Sequence, residues 1–187
     1  MCRFRRGLDA RTLPPIRMTG EQSRDRNLII ATLAQALAQQ DPEHKIAAMF
    51  IDSAFGSPVV ERLHVLGYRH VHEVNFGSVH GPDPHDANMR AYMWRQMKEW
   101  LLRGALPAKD QRLADDLEGP GYHLNTRDQL VLESKESMQK RGVASPDDGD
   151  ALALTWAQAV RPDGLQRPMA RMADYGGSSL AGGWMGT

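Results

Sequence analysis

Cysteine is nearly absent: Cys2 is the only one in 187 residues, so no internal disulfide staples this chain. A surplus of charge is missing too, since 23 basic residues balance 23 acidic ones. Global charge therefore gives no reason to expect a nucleic acid, while leaving room for a local basic groove. No apolar run approaches the roughly 18 residues that a membrane span needs, and no secretory leader is visible. The expectation is a soluble protein of a reducing, cytoplasmic setting with no membrane partner. The seven histidines are scattered without the cysteine support of a zinc centre. No internal repeat occurs, and no G-x-x-x-x-G-K-[ST] phosphate loop.

What is present, 41% hydrophobic and 25% charged residues, suits one α/β domain over residues 1–160. MCRFRRG at the start alternates Cys2 and Phe4 with Arg3 and Arg5, which reads as a strand. Residues 16–19 read as a short second strand antiparallel to it. A helix is expected over 23–40, where Leu28, Ile29, Leu33, Ala34 and Leu37 keep a 3.6-residue period. KIAAMFID (45–52) is a buried strand ending in a carboxylate, followed by a Gly-containing loop and a helix over 58–66. HVHEVNF (70–76) is a further strand, and its His70 and His72 read as solvated or as a metal pair lacking a third ligand. Residues 86–103 form a helix whose Met89, Met93, Met97 and Trp100 stripe is core, with Gly104 as its cap. A helix over 109–117, a hairpin with strands at 122–124 and 129–133, and a short helix ending near Arg141 follow. Beyond Val160 the chain turns to Pro, Gly, Ser and Arg, and residues 161–187 are expected to be a disordered tail.

The chemistry gathers in SPDDGDALALTWA (145–157). Ser145 and Pro146 are a helix-start signal, so Asp147, Asp148 and Asp150 fall in the first helical turn. The positive end of the helix dipole favours their ionised state, and the spacing puts Asp147 and Asp150 on one face. Two readings stand side by side: ordinary dipole complements, or a cation site. Asp52 is the second anchor, because the C-terminal end of a central strand is where open α/β sheets place their ligand crevice. It is equally readable as a cap on the loop amides. A third reading makes the Gly56 loop a phosphate cradle. Lys135, Lys140 and Arg141 carry the basic charge next in sequence to the acidic helix, suited to DNA phosphates or to a solvated surface. An acidic strand end beside an acidic helix start offers hard oxygen ligands, which select Mg²⁺ or Mn²⁺. Phosphodiester hydrolysis is the reaction class that best uses such a site.

Three segments, FIDSAFGSPVVERLHVLGY (50–68), NMRAYMWRQMKEWLLRGAL (88–106) and above all LVLESKESMQKRGVASPDDGDALALTWA (130–157), resemble the C-terminal nuclease domain of tailed-phage terminase large subunits. The resemblance covers about residues 1–159. It implies a ribonuclease H-like fold with a mixed central sheet and a two-metal endonuclease that cuts concatemeric double-stranded DNA. It also implies an ATPase motor domain, a small terminase subunit and the capsid portal as partners. Carried over residue by residue, it makes Asp52, Asp147 and Asp150 the catalytic, metal-binding carboxylates. Asp148 stays open beside Asp150, because related terminases use two adjacent aspartates. Holliday-junction resolvases show a similar Asp, two residues, Asp-Ala-Leu-Ala order.

The chain departs from that pattern at its start. The family opens with an Asp-bearing strand, whereas MCRFRRG matches the family's second strand; the ATPase domain is missing as well. An excised fragment, a shortened prophage gene and a misassigned start codon all produce this. The expectations are that a chain lacking that strand is a poor nuclease or none, and that its sheet has an unpaired edge. The alternative function is a catalytically incomplete prophage remnant that docks to portal, small subunit or motor.

Overall fold

The fold is organised by a short parallel pair buried between two sets of helices. Met49–Asp52 (β1) pairs in parallel with Val71–Val74 (β2), with Met49 opposite Val71 and Asp52 opposite Val74. The crossover between them is the helix Ser53–Val65 (α2), making a β–α–β unit. The computed structural model describes residues 1–79 and 82–160; the tail expected at 161–187 lies outside the described residues. Side chains along a strand alternate between its faces. Met49, Ile51 and Val71 accordingly join a core cluster with Leu37, Val59, Val60 and Leu63, built with the helix Arg26–Leu37 (α1). Phe50 and Val74 face the other way, into a second cluster with Met93, Trp94, Met97, Trp100, Leu113 and Leu152.

That second cluster is supplied by three helices: Met89–Leu101 (α3), Gln111–Glu118 (α4) and Asp147–Ala153 (α6). The Met and Trp stripe of α3 is core, as its spacing predicts: Met93 and Met97 are fully buried. The 3-10 turn Leu154–Trp156 continues α6 and packs on β1, which draws the acidic helix toward the strand. Trp156 meets Trp100 edge-on at 5.3 Å and takes the Arg5 guanidinium over its ring at 4.3 Å. A 3-10 turn, Gln22–Arg24, a hairpin, Tyr122–Leu124 (β3) with Leu130–Leu132 (β4), and the helix Lys135–Lys140 (α5) complete the described elements. No helix among the described residues is long and apolar enough to cross a membrane.

Several expectations shift. The strands form two separate two-stranded sheets among the described residues, not one mixed sheet. The first segment meets residue 16 in the expected antiparallel sense, but only through the bridge from Cys2 to Ile16, with N···O distances of 2.9 and 3.1 Å. The next hydrogen-bonded pair of that ladder would set Phe4 against Pro14, which has no N–H to give. The helix expected from Pro58 begins five residues earlier at Ser53, directly after β1, and carries Pro58 inside it. Gly56 is a point of contact, not a phosphate loop: it lies within α2, and a Cβ there would collide with the Ile51 side chain. Gly104 lies beyond the cap of α3, which is Leu102, and packs on the Trp100 ring. His72 stacks on Phe50 at 5.5 Å, and His70 sits edge-on to Tyr68.

Candidate metal and phosphate site

Pleat parity puts Asp52 on the same face of β1 as Phe50, the face toward α6. Its carboxylate also caps α2, with Oδ1 accepting the Ala54 N–H at 3.3 Å. The capping role and the crevice position are thus held by one residue. A cavity of about 380 Å³ lies between the N-terminal segment, β1 and α6, and Asp52, Asp147, Asp150 and Lys135 all line it. Its remaining wall is largely apolar, including Phe4, Met49, Phe50 and Leu154.

Asp147, Asp148 and Asp150 occupy the first turn of α6 as expected. The cap is different: Pro146, not Ser145, stands at the N-cap position, and the Ser145 hydroxyl donates to Asp147 Oδ1 at 2.7 Å. Asp116 supplies the capping instead, its Oδ2 accepting the N–H of Asp148 at 2.6 Å and of Gly149 at 3.2 Å. Burial raises the Asp116 carboxyl above its ordinary value, outweighing those two bonds.

The two oxygens of Asp150 have different fates. Oδ1 accepts from Arg90 Nε at 2.9 Å and from Trp94 Nε1 at 2.8 Å, which fixes the carboxylate plane. Oδ2 is buried and has no hydrogen-bond partner. Lys135 Nζ lies 3.2 Å from it, an ion pair whose direction does not make a hydrogen bond, and 3.4 Å from Asp147 Oδ1. Arg90 continues through Nη1 to the Glu133 carbonyl at 2.9 Å. One carboxylate is therefore held rigidly by a neighbouring helix while presenting a single oxygen, the arrangement that outer partners impose on a metal ligand.

Asp148 lies elsewhere. It is fully buried, pairs with Arg3 through both Nε and Nη2, and has Arg17 Nη2 at 3.2 Å and Arg112 Nε at 3.2 Å. Arg3 and Arg17 also hold Asp110, whose carboxyl burial alone would raise but these bonds keep below its ordinary value. Of the two aspartates left open by the sequence, Asp150 lines the cavity and Asp148 is sealed among arginines. Arg141 is also away from the cavity, paired with Glu133 Oε2 at 2.6 Å beside Gly119. Bonds from Arg141, the Gly121 N–H and Ser137 hold the Glu133 carboxyl down at about 2.

The donor set fits a hard divalent cation at the Asp147–Asp150 position: all-oxygen ligands, with a buried oxygen lacking a hydrogen bond. Asp52 stands on the same cavity wall, yet among the described residues no three His, Cys, Asp or Glu side chains form a ready metal-binding group. Sequence reasoning did not single out Arg90, Trp94, Arg3 or Asp116. Arg90 and Trp94 are four apart on α3 and share a face, so the spacing was there to pair them. Nothing local marks Arg3, whose partner Asp148 is 145 positions away. No known protein-family model matches the chain, and no curated protein matches it.

Proposed function

We propose that this chain is the metal-dependent DNA endonuclease domain of a phage DNA-packaging terminase large subunit, with a ribonuclease H-like ancestry, acting on concatemeric double-stranded DNA. The observation that carries the reading is that Asp52 and the α6 pair Asp147 and Asp150, far apart in sequence, line one cavity. The terminase-like sequence around all three residues supports it independently. A bound Mg²⁺ or Mn²⁺ would supply an activated water and neutralise the leaving oxygen of a phosphodiester. The chain's own part is to hold the ligands. Arg90 and Trp94 orient Asp150, Ser145 orients Asp147, and the amide of Ala54 orients Asp52. Lys135, 43% exposed at the rim of this acidic group, supports the reading as a basic side chain that can meet a phosphate.

A second reading makes the domain a catalytically incomplete docking module for the portal, small subunit or motor. It is favoured by the lack of a ready three-ligand group among the described residues. Nicking of supercoiled plasmid in Mn²⁺ separates the two. Under the endonuclease reading the chain converts supercoiled to open-circular DNA, slowly for want of the family's first Asp-bearing strand, and Asp52→Asn, Asp147→Asn and Asp150→Asn each abolish this. Intact plasmid at high protein and Mn²⁺ leaves the docking reading. Nicking that survives all three substitutions would remove both the site and the assignment.

A further inference from the structure

We propose that Lys135 is a built-in counter-ion of the cavity, occupying the cation position between Asp147 and Asp150 and exchanging with the divalent ion. The inference rests on the reading of these carboxylates as a metal site and adds how that site is loaded.

The position of Lys135 is unusual on local grounds. It is the first residue of α5, where the positive end of a helix disfavours an ammonium. Its own helix therefore gives no reason for the charge to sit there; the carboxylates across the gap do. Nζ lies 3.4 Å from Asp147 Oδ1 and 3.2 Å from Asp150 Oδ2, so a single positive charge is shared between one oxygen of each carboxylate. The fit is imperfect in a telling way. Asp150 Oδ1 is saturated by Arg90 and Trp94, while Oδ2, in a side chain only 7% exposed, receives charge from Lys135 but no hydrogen bond. The ammonium leaves that oxygen without a hydrogen bond, and a hard divalent cation takes carboxylate oxygens of this kind as ligands.

The exchange follows from charge. A divalent ion and an ammonium cannot both sit within about 4 Å of the same two oxygens without strong repulsion. The lysine stem is flexible and its end is half-exposed, so it can leave toward solvent, whereas Arg90, 12% exposed and bonded to the Glu133 carbonyl, stays. The site thus keeps its two acids compensated while empty, which avoids the cost of packed like charges, and gives up that compensation to the metal.

Titration of the full chain with Mn²⁺, following the free ion by electron paramagnetic resonance, tests this. Lys135→Met should bind Mn²⁺ at least about tenfold more tightly than the unaltered chain, because a competing charge is gone. Lys135→Arg, which keeps the charge, should bind no more tightly than the unaltered chain, and Asp150→Asn should bind far more weakly in either background. In the unaltered chain, whose fold no substitution disturbs, the Lys135 side-chain resonance should shift saturably as Mg²⁺ is added. Equal affinity in Lys135→Met, or a Lys135 resonance indifferent to Mg²⁺ while Asp150→Asn still weakens binding, overturns the exchange and leaves the metal site standing. No Mn²⁺ uptake by any form, Lys135→Met included, overturns both.

Discussion

The two faces of α6 carry the same kind of residue to opposite ends. On one face Asp148 is fully buried and surrounded by Arg3, Arg17 and Arg112, with Asp110 completing the cluster. On the other face Asp147 and Asp150 share one lysine at the edge of a cavity, and a buried oxygen is left without a hydrogen bond. Arginine is planar, always charged and suited to holding a carboxylate at two points, so the first face is a fastening. Lysine is a flexible point charge, so the second face is a place that can change occupants. The contrast shows that position in an acidic run says little about role; the partners brought from other elements decide it.

The largest expected effect tests the fastening. Asp148→Asn leaves Arg3 buried without its main counter-charge, and a loss of about 3 kcal/mol or more is expected from urea unfolding. Asp147→Asn, on a side chain 56% exposed, should stay within about 0.5 kcal/mol of the parent while removing Mn²⁺ binding and nicking. Equal stability losses for the two would erase the comparison. Next comes the seam between the faces. A Cβ at Gly149 would lie 2.8 Å from the Trp94 ring, so Gly149→Ala should cost about 1–3 kcal/mol and, by shifting Trp94, loosen its bond to Asp150. Weaker Mn²⁺ binding than that of a core variant of equal stability away from the cavity, such as Val60→Ala, is the measurement that checks it.

The smallest effect concerns acid. Glu133 has an ordinary value of 4.5 and is held at about 2 in the folded chain. A carboxylate depressed on folding contributes stability that is fully present above its unfolded value and lost as pH falls through its folded value. Its contribution should therefore fade between about 4.5 and about 2, and Glu133→Gln should flatten the stability profile in that window. Melting curves taken across it for both proteins show whether it does.

Much of this was legible because it is periodic. The α3 stripe, the β1 run and the 122–132 hairpin each announce themselves through spacing or turn residues, and Asp52 at a strand end follows from the run that precedes it. The acidic start of α6 was legible too, though not its cap, since Asp116 reaches it from α4. The N-terminal pairing was overcalled because alternation in 1–6 says nothing about whether the partner can donate, and Pro14 cannot. The division of labour between Asp148 and Asp150 was not readable at all. It depends on Arg3 and Arg90, supplied from opposite sides by segments whose own patterns point to strand and surface.

The cavity lies where two cores meet. Asp52 belongs to a unit spanning α1 to β2, whose contacts are mostly local in the chain, whereas α6 and the 3-10 turn after it are tied by Arg3 and Arg5 respectively from the far end of the sequence. Local units close quickly and long-range ones late, so the β1 side should be in place before α6 arrives. The same order applies in reverse to opening fluctuations. The acidic trio is then an assembled object with a lifetime, and the amino-terminal arginines, remote in sequence from the chemistry, share with Arg90, Trp94 and Asp116 in setting how long the pocket persists.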